Sequence, residues 1–290
     1  MSYVIITDSC ANLTDEMIEK NNISIIPLSF HVNGEEYKSY EKGKKSDLKK
    51  FYNMMRQKES ITTSLVSPDQ FTQFFTEYLE AGQDILYIGF SSGLSGTYQS
   101  SVIAAEELKE KYPDRKIITV DSLCASAGQG LLVYHVCMLK EAGKSLEEVG
   151  DWAMENRFRS CHWFTCDDLF FLKRGGRISA SSAVLGSLLQ VKPVMHVTDE
   201  GKLAVFSKAR GRKQAMQSLV KHMEETVENP EEQVVIIAHG DCEDEALAIK
   251  KMVEEKFTVK EVIVTYLDPV IGAHAGPGTL ALFYMGTNRA

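Results

Sequence analysis

The chain has 290 residues, 44% hydrophobic and 25% charged, with 32 Lys and Arg against 40 Asp and Glu for a net charge of −8. That balance excludes a nucleic-acid coat, which needs a basic domain or a long basic stripe. A chain of this length buries roughly 75% of its unfolded surface, so it needs no disulfide or metal staple, and its length sets a prior of two domains.

Val4-Ile5-Ile6-Thr7 is an apolar run ending at Asp8-Ser9, which predicts a buried strand with polar groups at its carboxyl end. The first ten residues lack the basic start and long apolar run of a signal peptide. Thr14 is placed to cap a short helix with Asp15 and Glu16 in its first turn. An extended stretch over 23–32 and another over 35–37 flank Asn33-Gly34, a strong hairpin signal. Residues 47–58 have helical apolar spacing, through Leu48, Phe51, Met54 and Met55. Thr62 to Val66 precedes Ser67-Pro68-Asp69-Gln70, a capping box with Pro at the first helical position. Phe71, Phe74, Phe75, Tyr78 and Leu79 then share one helical face. A strand over 85–90 runs into Ser91-Ser92-Gly93-Leu94-Ser95-Gly96-Thr97 and a further helix. A strand over 117–120 repeats the plan, ending at Asp121-Ser122 before a helix from about Ala125. This alternation predicts an α/β lobe over residues 1–160, its mostly parallel sheet covered by helices on both faces.

After about Cys161 the rhythm changes. A helix is expected over 181–189, then an antiparallel pair over 191–197 and 202–209 around the turn Asp199-Glu200-Gly201. Helix 212–226, strand 234–239, helix 244–256, strand 259–267, a Gly-rich loop and strand 280–285 complete a second α/β lobe, residues 161–290, with a mixed sheet. No long linker separates the lobes, so close packing is expected.

The six cysteines (10, 124, 137, 161, 166, 242) show no CxxC or framework spacing, which predicts reduced thiols, core positions and a cytoplasmic protein. No window of 18 uncharged apolar residues offers a membrane span. The richest candidate site is Ser91–Thr97, where free backbone N–H groups and a helix dipole favour an anion at a sheet's carboxyl edge. It lacks the Gly-Lys-Ser/Thr of a triphosphate loop; an ordinary capped helix is the alternative. Thr63-Ser64 occupies a similar strand-to-helix position in the preceding unit and is expected at the same sheet edge. His274 falls in the loop Ile271-Gly272-Ala273-His274-Ala275-Gly276-Pro277-Gly278, where glycines permit close approach. Asp8, Asp121 and Asp241 follow predicted strands and suit capping better than metal binding. His162, between Cys161 and Cys166, fits no zinc pattern, and neither a Gly-x-Ser-x-Gly elbow nor a dinucleotide fingerprint after the first strand is present.

Five motifs occur in order: Thr7-Asp8-Ser9, Thr63-Ser64-x-x-Ser67-Pro68, Ser91-Ser92-Gly93-Leu94-Ser95-Gly96-Thr97, Leu172-Lys173-Arg174-Gly175-Gly176-Arg177-Ile178 and Gly272-x-His274-x-Gly276-Pro277-Gly278. Together they make the sequence resemble the DegV family of bacterial fatty-acid-binding proteins over essentially the whole chain. The resemblance implies two α/β lobes, a buried long-chain fatty acid such as palmitate as ligand, no further cofactor or metal, and, for some members, service to an ATP-dependent fatty acid kinase. Carried over by motif position, Thr63 and Ser95 contact the carboxylate, His274 joins the same polar network, and Ser64, Gly96 and Thr97 complete the ligand-binding set. Leu65-Val66 departs from the polar-Pro pair of many relatives, which affects the loop geometry and not Thr63 itself.

The energetics suit that role. About 14 methylenes at ~0.8 kcal/mol each contribute roughly 11 kcal/mol before costs, against about 1.5–3 kcal/mol per hydrogen bond to a charged group. The expected function is a non-catalytic carrier that presents a fatty acid carboxylate to a kinase for acyl-phosphate formation. The alternative is an enzyme using His274 and the Ser/Thr loops on a small phosphorylated or carbonyl substrate. None of the three ligand motifs contains Arg or Lys. The basic residues concentrate instead between Lys173 and Lys213, where nine face only Asp199 and Glu200, a local net charge of +7. Lys173, Arg174 and Arg177, with Arg210, Arg212 and Lys213, are expected to form a docking face for an acidic kinase surface or a phosphoryl group. No integral membrane association and no nucleic-acid partner are expected; transient membrane-surface contact is compatible with this charge.

Overall fold

The computed structural model describes residues 2–44, 46–179 and 191–289, so the helix expected over 181–189 lies outside the described residues. β1 (Tyr3–Asp8), β2 (Ser24–Ile26), β6 (Asp84–Gly89) and β7 (Ile117–Asp121) form a parallel sheet in the order β2-β1-β6-β7. Alternate residues of β1 serve opposite faces, as strand geometry dictates. Val4 and Ile6 pack with Phe71, Phe75 and Leu79 of α3 (Pro68–Glu80) and Ala104 and Leu108 of α4 (Thr97–Lys111). Tyr3 and Ile5 pack with Leu132, Val133 and Val136 of α5 (Ala127–Glu141) and Leu146 and Val149 of α6 (Leu146–Asn156). Both faces are therefore covered, as the near-continuous apolar runs demanded. The capping box at Ser67 and Gln70 is fully formed.

β8 (Ser160–Thr165), β9 (Val191–Val197), β10 (Leu203–Arg210), β11 (Val234–His239), β12 (Glu261–Tyr266) and β13 (Leu280–Met285) form a mixed sheet in the order β10-β9-β8-β13-β11-β12. β9 and β10 pair antiparallel as expected, whereas β11 and β12 run parallel. One face packs on the helices Arg212–Thr226 and Glu243–Lys256. The other face, with Phe164, Ala281 and Phe283, joins Ala127 and Leu131 of α5, so α5 touches both large sheets.

A third sheet departs from expectation. The extended stretch over 23–32 is two strands in different sheets: β2 pairs with β1, while β3 (Ser29–Val32) pairs antiparallel with β4 (Glu35–Lys38) and β5 (Ile61–Ser64). Pro27, which has no N–H to donate to a ladder, sits at the break. The β3–β4 turn has Asn33 at φ 52° and Gly34 at φ 90°, the pair of positive angles a two-residue hairpin requires. Thr63 and Ser64 therefore belong to this small sheet and not to the edge of the parallel one.

Candidate functional site

The three sheets meet around a cavity of about 220 Å³ whose wall includes Phe90, Phe164, Val270, Ala281 and Phe283, with Thr63, Ser64, Ser95, Gly96 and His274 among its polar residues. The strand-to-helix loop after β6 supplies Ser95, and its shape is set from both sides. Asp8, at the end of β1, accepts hydrogen bonds from the Phe90 N–H (2.8 Å), the Tyr87 hydroxyl (2.8 Å) and the Cys10 N–H (3.0 Å). Burial pushes the Asp8 carboxyl up, opposed by these bonds. Asp121, at the end of β7, accepts from the Ser92 and Leu123 N–H groups. The Ser91 hydroxyl donates to the Gly201 carbonyl at 2.7 Å, tying the loop to the β9–β10 turn. A Cβ at Gly93 would fall 2.6 Å from the Glu200 carbonyl oxygen, so only glycine allows that approach.

The loop is not the open nest of N–H groups that its sequence suggested. The N–H groups of residues 90–95 and 97 are all bonded within the protein, Thr97 N–H to the Ser95 hydroxyl. What remains for a ligand is the Ser95 hydroxyl and the start of α4. Thr97 is fully buried, bonds Ser95 side chain to side chain at 2.9 Å, and lies behind the cavity wall rather than in it.

Thr63 Oγ1 lies 2.8 Å from His274 Nε2. His274 is not in a loop: it occupies the last turn of α10 (Pro269–Ala275, the tenth described helix), whose N-cap Asp268 accepts from the Val270 N–H. The imidazole rests against Gly175, where a Cβ would come within 2.2 Å of Nδ1, and among the described residues Nδ1 has no hydrogen-bond partner. An orphaned lone pair costs less than an orphaned N–H, so the neutral ring carries its proton on Nε2 and donates to Thr63. The Thr63 hydroxyl proton is thereby freed to point into the cavity. Burial, aided by Arg177 and Arg174, lowers the His274 pKa to about 4, so the ring is neutral at pH 7. Ser64 is exposed and bonds His31 Nε2 at 2.8 Å. Gly96 approaches Leu65, whose Cδ2 would lie 3.3 Å from a Cβ there, which brings the Thr63 and Ser95 segments side by side.

The basic residues separate into different roles. Arg177, expected on a docking face, is half-buried in the cavity wall and donates to the Gly175 carbonyl, so a guanidinium does reach the site that its motifs left without one. Arg212, also expected to dock, is committed internally: it binds Glu245 (2.6 Å) and the Gly278 carbonyl (2.7 Å) beside Asp167. Arg174 and Arg210 are exposed. Lys202 and Lys208 line a second, open groove that shares Leu94, Arg177 and Leu203 with the cavity. Asp241 pairs with Arg56 and the Tyr266 hydroxyl. All six cysteines are free, five of them buried and Cys242 half-buried. Sequence reasoning missed the loop-holding roles of Asp8 and Asp121 and the placement of Arg177; the motif positions of Asp8 and Arg177 were the available signal.

A profile described as an uncharacterised protein of the DegV family matches residues 2–287. The chain is 44% identical over 287 residues to a DegV domain-containing protein of Clostridium perfringens, covering 99% of this chain and 98% of that one. A solved fatty-acid-binding DegV family protein from Thermus thermophilus is 31% identical with a TM-score of 0.88, over 99% of this chain and 100% of that one. A solved stearic-acid-binding protein from Eubacterium ventriosum is 26% identical with a TM-score of 0.85, over 98% of each chain. With a family profile spanning nearly every residue and a relative at 44% identity along almost the whole length, this chain belongs to the DegV family.

Proposed function

We propose that this protein is a non-catalytic carrier that encloses a long-chain fatty acid and presents its carboxylate to an ATP-dependent kinase for acyl-phosphate formation. The observation that carries the reading is an apolar cavity with a hydroxyl–imidazole cluster in its wall, Thr63, Ser95 and His274. In this reading the acyl tail lies among the apolar side chains and supplies most of the affinity. Thr63 and Ser95 donate to the carboxylate, His274 fixes the Thr63 rotor, and Arg177 balances charge. Fatty acid binding by solved relatives supports the same ligand class. His274 suits positioning better than proton abstraction, because among the described residues its Nδ1 meets Gly175 and no carboxylate that would raise its basicity. The kinase would approach over exposed Arg174 and Arg210 and the Lys202–Lys208 groove, with residues 1–160 and 161–290 acting as two lobes in the cytoplasm. Among the described residues, no helix is long and apolar enough to cross a membrane.

Denaturing mass spectrometry of the purified protein tests the ligand: a co-purified C14–C18 fatty acid is expected. Its absence, together with turnover of a small phosphorylated substrate, would overturn the carrier. Charge reversal at Arg174 and Arg210 tests the partner, with slower phosphorylation and a full cavity as the expected result.

A further inference from the structure

The cavity wall holds one more imidazole, far from the hydroxyl cluster in the fold. His162, on β8, is 1% exposed, and it lines the cavity beside Phe164, Ala281 and Phe283. Its Nε2 accepts a hydrogen bond from the Ala125 N–H at 3.2 Å. The ring packs against Gly128, where a Cβ would lie 2.0 Å from Nε2, and the Ala125 N–H fixes its orientation, since a flipped ring would set a C–H against that donor. An accepting Nε2 in a neutral ring leaves the proton on Nδ1, and burial favours that neutral ring. Among the described residues the buried Nδ1 makes no hydrogen bond of ordinary geometry; the Ser160 backbone is a weak contact that opposes the burial effect. A poorly satisfied buried N–H in a folded protein calls for an explanation, and here it belongs to a ring that forms part of a cavity wall. Ser126, next to the Ala125 that bonds the ring, also lines the wall, and its hydroxyl makes a long 3.4 Å contact with Asn12 Oδ1.

The strand register places this group along the cavity. Thr279 bonds the Ala275 carbonyl beside His274, while His162 pairs with Phe283, four residues further on. At ~3.3 Å per residue the two levels are about 13 Å apart. An extended chain advances about 1.2 Å per bond, which sets His162 against the middle of a bound acyl chain.

We propose that His162 Nδ1–H, with Ser126 beside it, is a second polar subsite that recognises an oxygen atom, hydroxyl or oxo, carried at mid-chain by the fatty acid. The proposal rests on the fatty-acid reading above and adds a substrate class to it. An oxygenated chain brings Nδ1–H a well-placed acceptor, whereas a plain hydrocarbon leaves the donor with the poorly placed Ser160 backbone alone.

The test compares octadecanoic and 10-hydroxyoctadecanoic acid by calorimetry on three proteins. His162→Gln keeps an acceptor near the position of Nε2 for Ala125 and removes the Nδ1 donor; His162→Asn keeps a donor near Nδ1 and removes the Ala125 acceptor. Wild type is expected to bind both acids. The readout is the ratio of the two dissociation constants within each protein: in His162→Gln the preference for the hydroxy acid over the plain acid should fall about tenfold relative to wild type, the factor set by one buried hydrogen bond. His162→Asn should retain the wild-type ratio. An unchanged ratio in His162→Gln, a ratio lost equally in His162→Asn, or exclusion of the hydroxy acid from wild type by a resident water overturns the subsite alone. Failure of wild type to bind octadecanoic acid overturns the fatty-acid reading itself.

Discussion

Replacing Thr63 by Val keeps the side-chain shape and deletes one oxygen, so it isolates the proposed head-group bond. Two costs follow from the 2.8 Å contact with His274. In the complex, one hydrogen bond to a carboxylate disappears, worth about 1.5–3 kcal/mol, or roughly 10- to 150-fold in dissociation constant. In the fold, the His274 Nε2–H is left unpaired, which costs about 1–3 kcal/mol with or without ligand. At ~0.8 kcal/mol per methylene, the first loss equals about two to four methylenes of tail. The variant should therefore bind an eighteen-carbon acid about as the wild type binds one two to four carbons shorter. Displacement of a fluorescent fatty acid measures this, and the matching fatty alcohol, which has no carboxylate, serves as the control. Equal losses for acid and alcohol would place the effect in the cavity shape, and an unchanged acid affinity would remove Thr63 from the head group; either result refutes the reasoning.

Other perturbations test the surrounding architecture. Gly175→Ala puts a methyl 2.2 Å from His274 Nδ1 and should weaken acid binding by displacing the ring from Thr63, visible as a lower acid-to-alcohol preference. Asp121→Ala frees the Ser92 and Leu123 N–H groups and should cost about 1–3 kcal/mol, measured as a lower urea midpoint with an unchanged slope. Asp268 is half-buried, and desolvation of its carboxyl pushes its pKa up to about 8 from an ordinary 3.8, so the fold binds a proton there that the unfolded chain releases. Stability from this group is full below pH 3.8 and is lost as pH rises toward 8; Asp268→Asn should flatten the decline between pH 4 and 8 in a melting-temperature profile, and a parallel decline would contradict the assignment. His274, at about 4, acts oppositely: the fold resists its protonation, so stability falls as pH drops from 6.5 toward 4, and His274→Gln should remove that part of the acid loss.

What the sequence disclosed follows from what is local. The β-branched runs of β1, β6 and β7 are buried on both faces, so their signal is continuous and survives without tertiary knowledge. The Ser67 capping box and the Asn33-Gly34 turn are complete within four residues and form as expected. Strand partnership is not local: nothing near Thr63 says that it pairs with Phe30 in a separate sheet. The proposed head-group cluster was legible as residue types, but its geometry was not. Backbone N–H groups that looked free are taken by Asp8, Asp121 and Ser91, two of them distant in sequence. Arg177 looked like a surface charge because a long side chain can lie in a wall or outside it, and the choice is made by packing. His162 fitted no zinc pattern in the sequence, and it is buried; its poorly satisfied nitrogen appears only once the Ala125 contact is known.

The way the Ser91–Thr97 loop is held bears on when this site comes into being. Its anchors lie far along the chain: Asp8 to Phe90 spans 82 residues and Ser91 to Gly201 spans 110, while in the neighbouring cluster Thr63 to His274 spans 211. Contacts of such separation close large loops, at an entropic cost, and during synthesis they cannot form until the later partner has been made. A nascent chain therefore exposes apolar segments destined for the cavity wall, such as those around Phe90 and Phe164, before the polar cluster that orients a ligand exists. A ligand that binds only the finished site stabilises the whole fold by mass action and not one lobe of it.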